Sequence, residues 1–265
     1  MPSNGCIALT RSPVKVVAAG EMPFLEEVGQ LLVTAGHDTV LYLVEDLFTA
    51  GQGAALIDLA EADVVVEMHH ESPLAKERLL RTMGRLAPAT ALILTSALTT
   101  AVTRAAAWVE QPERVVGFGL LPPLAPTGLV ELAVGLQTNP DRLSQAAAFW
   151  QTAGYEAVTV AEGPGLVRAR TVCCLINEAA SAVLEGVATA ADIDQAMLLG
   201  VNYPHGPLAW ADQIGLDTVL GVMEGLFAEW GEDRYRPSPL LRRLVAAGQL
   251  GQKSGRGFYE YSEGV

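Results

Sequence analysis

A chain of 265 residues can bury one large core or two of ordinary size, and two domains are expected. Half of it is hydrophobic with a mean hydropathy of +0.29, but alanine and valine carry much of that and no apolar run approaches a membrane span, so the chain reads as soluble with no membrane partner. A formal charge of −13 argues against nucleic acid as the main partner, because neutralising phosphates needs a basic surface.

The opening MPSNGCIALTRSP has neither the charged start nor the apolar middle of a secretory signal, which makes the cytoplasm the expected compartment. Cys6 stands alone and Cys173 and Cys174 are adjacent, so neither a disulfide framework nor metal-ligand spacing exists, and no metal is expected. Up to residue 160 the sequence alternates β-branched runs with helical patterns, as a parallel sheet with crossover helices does. Strands are predicted at Val14–Ala19, Thr39–Val44, Ala62–Glu67, Ala91–Leu94, Val115–Leu121, Leu129–Val134 and Ala157–Val160. Phe24–Thr34 is a helix ended by Gly36, and Ser72-Pro73 starts another through Leu86, with serine as cap and proline at the first helical position.

Beyond Glu162-Gly163-Pro164-Gly165 the strand signals stop, so the boundary falls there and the domains are 1–162 and 163–265. Helices are predicted at Leu166–Gly186, Thr189–Leu199, Pro207–Ile214, Leu216–Trp230 and Pro239–Ala247. A helical half of this kind buries its remaining apolar face against a copy of itself, so a homodimer is expected. Arg242, Arg243, Lys253 and Arg256 read as a solvated helix face.

Several segments together resemble the 3-hydroxyacyl-CoA dehydrogenase family. Asp192-Ile193-Asp194-Gln195-Ala196-Met197 looks like its D-I-D-x-A-M, Tyr203-Pro204-His205-Gly206-Pro207 like its P-x-G-P, and Gly251-Gln252-Lys253-Ser254-Gly255-Arg256-Gly257-Phe258-Tyr259 like its G-x-K-[ST]-G-x-G-F-Y. The likeness extends back through Pro112-Glu113-Arg114-Val115-Val116-Gly117 and Ala62–Glu67, so it covers most of the chain. The resemblance implies an α/β fold, a Rossmann-like nucleotide-binding sheet followed by an all-α C-terminal dimerisation domain. It also implies NAD as cofactor and oxidation of a 3-hydroxyacyl-CoA in the cleft between the halves.

Position by position, the implied site has changed. The family's base histidine falls on Gly119 and its asparagine on Pro122, and glycine has no side chain to accept a proton. Glu131 matches the glutamate that orients the base, within a cleft expected to be semi-exposed. A substrate-contacting asparagine becomes Ala169, and the family's serine falls on Ser96 or, without a gap, on Leu98. Glu71 and Lys76 match residues on the nicotinamide side, or else form an exposed helix-start pair. His205 is a candidate for a relocated base, whereas His69 and His70 are expected at a solvent-exposed loop end and His37 beside a helix cap.

The dinucleotide turn of the family carries three glycines, which let the backbone approach a pyrophosphate resting on free N–H groups. This chain has Ala18, Gly20 and Pro23 there, with Glu21, Glu26 and Glu27 bringing negative charge to the phosphates' place. Its second strand ends in leucine rather than an acid, and Glu45–Glu61 is too short for the family's long helical hairpin, which helps to hold CoA. Two functions follow as alternatives. One is a binding or partner subunit without the family chemistry, as a homodimer or a heteromer with an active relative. The other is an NAD(P)-dependent oxidoreductase using Ser96 and Glu131, with His205, beside a cofactor placed by Gly20, Glu71 and Lys76.

Overall fold

The computed structural model describes residues 13–49 and 53–261; Cys6 and the opening segment lie outside them. Chain order is β1 (Lys15–Gly20), α1 (Phe24–Thr34), β2 (Asp38–Leu43), α2 (Val44–Thr49), α3 (Gly53–Ala60), β3 (Val64–Met68), α4 (Pro73–Leu86), β4 (Leu92–Ser96) and α5 (Val102–Ala106). Then come β5 (Val115–Gly119), β6 (Gly128–Val134), α6 (Pro140–Thr152) and β7 (Tyr155–Thr159), followed by α7 (Arg168–Leu184), α8 (Ala190–Val201), α9 (Pro207–Ile214), α10 (Leu216–Trp230) and α11 (Pro239–Ala246).

The seven strands form one sheet in the order β2-β1-β3-β4-β5-β6-β7. Successive side chains point to opposite faces, so Val16 and Ala18 pack under α1 and α6 while Val17 and Ala19 pack under α3 and α4. Strands β3, β4 and β5 are buried along their whole length, which is why they read as apolar runs interrupted only at their ends, by Glu67, Thr95 and Ser96. One expectation is corrected: the β5–β6 pair is antiparallel, with Gly119 opposite Glu131. Only residues 120–127 join the two strands, too few for a helical crossover, so the chain must turn back.

The local signals act as their chemistry requires. Ser72 Oγ accepts from the Ala75 N–H at 3.3 Å, and Gly36 closes α1 with φ +89°. Thr189 Oγ1 likewise accepts from the Asp192 N–H, capping α8.

The motif residues of the helical half are ties within the fold. Asp194 accepts the Leu208 and Ala209 N–H groups at 2.8 Å, which caps α9, and also the Tyr259 hydroxyl. Asp212 accepts the N–H groups of Phe258 and Tyr259 at 2.9 Å and the Tyr261 hydroxyl at 3.0 Å, so it pins the C-terminal turn to α9. A Cβ at Gly206 would sit 2.3 Å from Asp194 Cβ, and one at Gly257 would sit 2.0 Å from Asp212 Oδ1, so only glycine admits these contacts. In the sheet half, Arg114 is buried and donates to the carbonyls of Gly84 and Pro88, at the end of α4. Cys173 is buried and Cys174 partly so, both free thiols. Among the described residues no helix is long and apolar enough to cross a membrane.

Candidate functional site

In an open α/β sheet a ligand binds outside the carboxyl ends of the strands where the strand order reverses. That place is between β1 and β3, which end side by side at Gly20 and Met68. A Cβ at Gly20 would lie 2.9 Å from Met68 Cβ, so this glycine serves the close approach of the two strands. The next residue, Glu21, turns its carboxylate across to the end of β3. It lies against His69 Nδ1 and accepts from the N–H groups of His70 and Glu71, each at 3.3 Å. Free N–H groups at such a turn are what hold a bound anion. They hold one of the chain's own.

Burial raises the Glu21 carboxyl, but the His69 hydrogen bond, the two imidazoles and the Glu71 N–H together outweigh it, so the group is held below its ordinary value. His70 is neutral at pH 7, because burial and then the Lys76 charge push it down to about 3. Its Nε2 pairs with Ser96 Oγ at 2.7 Å, while His69 Nε2 accepts from the Ser72 N–H at 3.1 Å. The two histidines are therefore buried, not exposed at a loop end as expected. They point to opposite sides, and each side supplies a partner.

Beneath them lies a closed ion pair. Lys76 is 1% exposed and Glu67 fully buried. Lys76 Nζ donates to Glu67 Oε2, to the Ser96 carbonyl at 2.9 Å and to the His69 carbonyl at 3.3 Å, which uses its three protons. Glu67 also accepts from Thr95 Oγ1 and the His69 N–H, each at 2.6 Å. Lys76 is thus neither exposed nor open to a cofactor. Glu71 stands at the mouth, exposed, its carboxyl raised by partial burial and by Glu21 and Asp217 nearby. From the helical half Lys253 pairs with Asp217 at the same mouth; it is exposed, as are Arg242, Arg243 and Arg256, in keeping with the solvated basic cluster expected.

The residues present do not suit a dinucleotide. The cavity bounded by Glu21, Phe24, His70, Asp217 and Lys253 measures about 40 Å³. At the start of α1, Pro23 has no N–H to offer, and Glu26 and Glu27 occupy the first turn. β2 ends at an exposed Leu43, and Glu45 and Asp46 fall in the first turn of α2. Pyrophosphate at the start of α1 would meet carboxylates of like charge and one N–H too few.

The second implied centre lies around Gly119 and Glu131, which face each other across β5 and β6. Gly119 faces Glu131, for a Cβ there would lie 3.2 Å from Glu131 Oε2, so a side chain at 119 would touch that carboxylate. The same Cβ would lie 2.9 Å from Leu166 Cδ1, the end of a leucine side chain. Glu131 is buried, in contrast to the semi-exposed cleft expected. It accepts the Arg168 N–H at 3.0 and 3.2 Å and so caps α7. Burial raises its carboxyl in spite of that contact. Ala169 is buried in the helical core. His205 packs at a tilt against Trp210 with ring centroids 5.3 Å apart, lining a different cavity from His70. His37 is buried, bonded to Thr152 Oγ1 at 2.7 Å and stacked on Phe149.

Sequence reasoning missed the Glu21–His69 and His70–Ser96 contacts. The strand order carries the signal for both, since adjacent β1 and β3 ends must bring residues 21 and 69–71 together.

Two family models match the chain in succession: 3-hydroxyacyl-CoA dehydrogenase, NAD binding domain, over residues 15–163, and 3-hydroxyacyl-CoA dehydrogenase, C-terminal domain, over 165–261. A probable 3-hydroxybutyryl-CoA dehydrogenase of Bacillus subtilis is 42% identical over 208 residues, 78% of this chain and 72% of the relative. One from Deinococcus radiodurans is 37% identical over 237 residues, 89% and 82% of the two chains. Among solved structures, the (S)-3-hydroxybutyryl-CoA dehydrogenase PaaH1 of Ralstonia eutropha superposes with a TM-score of 0.76 at 30% identity, covering 94% of this chain and all of that one. M. tuberculosis FadB2 reaches a TM-score of 0.81 at 26% identity over 95% of this chain and all of that one. With both halves matched and the sheet, the cleft and the motif ties in place, this chain belongs to the 3-hydroxyacyl-CoA dehydrogenase family.

Proposed function

We propose that this chain keeps the family fold as a binding or partner subunit and does not run NAD-dependent dehydrogenation at an ordinary rate. The observation that carries this reading is the start of α1, where the cofactor's phosphates would rest: Pro23 there has no N–H, Glu26 and Glu27 fill the first turn, and the preceding Glu21 carboxylate is turned onto the His70 and Glu71 N–H groups. Position 119 supports it, since loss of a general base costs about 10²–10⁴-fold in rate. The helical half supports a homodimer, because Val187 and Leu199 are 71% and 78% exposed there; a heteromer with an active relative uses the same surface. The compartment proposed is the cytoplasm.

The test is a titration with NAD and acetoacetyl-CoA, separately and together, beside an assay of NADH formation from 3-hydroxybutyryl-CoA. No heat from NAD at millimolar concentration and no NADH above background are expected. Turnover near the enzymatic median of about 10 s⁻¹ would overturn the reading. A second reading, an NAD(P)-dependent oxidoreductase acting on a 3-hydroxyacyl-CoA or a related hydroxy acid, draws on the match to the NAD binding domain and on the names of the relatives. It requires the phosphates to rest beside the acidic start of α1, and saturable NAD or NADP binding would put it ahead.

A further inference from the structure

Arg168 opens α7, and only its backbone N–H is spent on Glu131. Its side chain lines a groove of about 290 Å³ between residues 121–129 and α9. The nearest acceptor the guanidinium has is the Leu121 carbonyl, at 3.5 Å, the limit of a hydrogen bond. Among the described residues it forms no ion pair within 4 Å. Two carboxylates lie in the neighbourhood and both are engaged elsewhere: Glu131 with the Arg168 N–H, Glu27 with the Leu124 N–H at 2.7 Å.

The walls of the groove are apolar and stiff. Pro122 and Leu124 form one side, with the ring of Tyr155, whose hydroxyl is tied to the Ala125 carbonyl at 2.5 Å. Trp210 and His205, packed at a tilt against each other, form the other, and Gln213 adds an amide at the rim. A partly buried guanidinium with most of its five donors free, set in an apolar wall, is complementary to a carboxylate held by two parallel hydrogen bonds. A groove of about 290 Å³ lies at the small end of ligand sites, which suits a short stem.

We infer that this groove binds a carboxylate carried on a short apolar stem, with Arg168 holding the acid group and Trp210 and Pro122 covering the stem. The inference gives a ligand class to the binding role proposed above and rests on it. The carboxylate belongs either to a free acid or to the far end of a dicarboxylic acyl thioester.

Calorimetry on the full chain separates these. Octanoate is compared with octanamide, and adipyl-CoA with hexanoyl-CoA, on the unaltered protein, Arg168→Gln and Arg168→Lys. A preference of about tenfold or more for the charged member of either pair is expected, equal to one charge-assisted hydrogen bond. Arg168→Gln erases it and Arg168→Lys restores part. A preference in the first pair identifies a free acid, and one in the second a thioester. Gln213→Glu, which leaves the start of α7 untouched, adds negative charge to the groove and lowers the same affinity, so the inference stays testable if Arg168→Gln does not fold. Equal affinities within both pairs, or no binding in either, would overturn the inference, as would a preference that survives in Arg168→Gln. NADH formation by a protein that still binds octanoate through Arg168 would remove the non-dehydrogenating reading and leave the groove's ligand in place.

Discussion

The helical half and the crevice of the sheet half carry the family likeness in different ways. In the helical half the recognisable residues hold the chain to itself: Asp194 and Asp212 collect N–H and hydroxyl donors, and Gly206 and Gly257 make room for them. In the crevice the residues that follow the strand ends also meet partners within the chain, Glu21 the His70 and Glu71 N–H groups and Leu166 the glycine at 119. A family match over both halves is therefore carried largely by residues that keep the fold. Chemistry rests on a few positions whose loss the fold tolerates when a neighbouring side chain or backbone group satisfies what is left behind.

If the crevice has become part of the core, its charged residues behave as core residues do. Lys76→Met leaves the Glu67 carboxylate buried without its cation and is expected to cost about 3–5 kcal/mol, measured by urea unfolding. A cost near zero would mean that Lys76 is held for a ligand rather than for the fold, and the contrast between the two regions would fail. Next in size is a tie of the helical half. Gly257→Ala drives a Cβ into Asp212 and the backbone at Gly251 and is expected to cost about 1–3 kcal/mol. Affinity for the carboxylate probes should be unchanged in the fraction that remains folded, since none of the displaced groups lines the Arg168 groove.

Much of the fold was legible in the sequence and less of the site. The seven strands and five C-terminal helices followed from periodicity and from Gly36, Ser72 and Thr189, because caps and alternation are local physics. The antiparallel β6 was not seen, since alternation says nothing of direction and the short connection was the only sign. Of the site, the absence of a side chain at 119 could be read directly. The burial of Lys76, His69 and His70 could not, because a charged or imidazole side chain is buried only when partners from distant segments meet it. Those partners, Glu21, Glu67 and Ser96, come from three other strand ends or strands.

The smallest expected effect sets the two site carboxylates against each other. Glu21 is held below its ordinary value of 4.5, so its contribution to stability is present above that value and lost as the pH falls through the lowered one. Glu131 is raised above 4.5 by burial, so its contribution is present while it is protonated and is lost as the pH rises through the raised value. Unfolding free energies of the unaltered protein, Glu21→Gln and Glu131→Gln, measured from pH 3 to pH 7, should then diverge. The stability lost to Glu21→Gln grows as pH rises through the acid end of the range. That lost to Glu131→Gln shrinks at pH above 4.5, because the amide keeps a polar group near the α7 N–H without a buried charge. A carboxylate gripped by donors and one merely enclosed respond to protons with opposite sign, and two curves running in the same direction would show that Glu21 has no such grip.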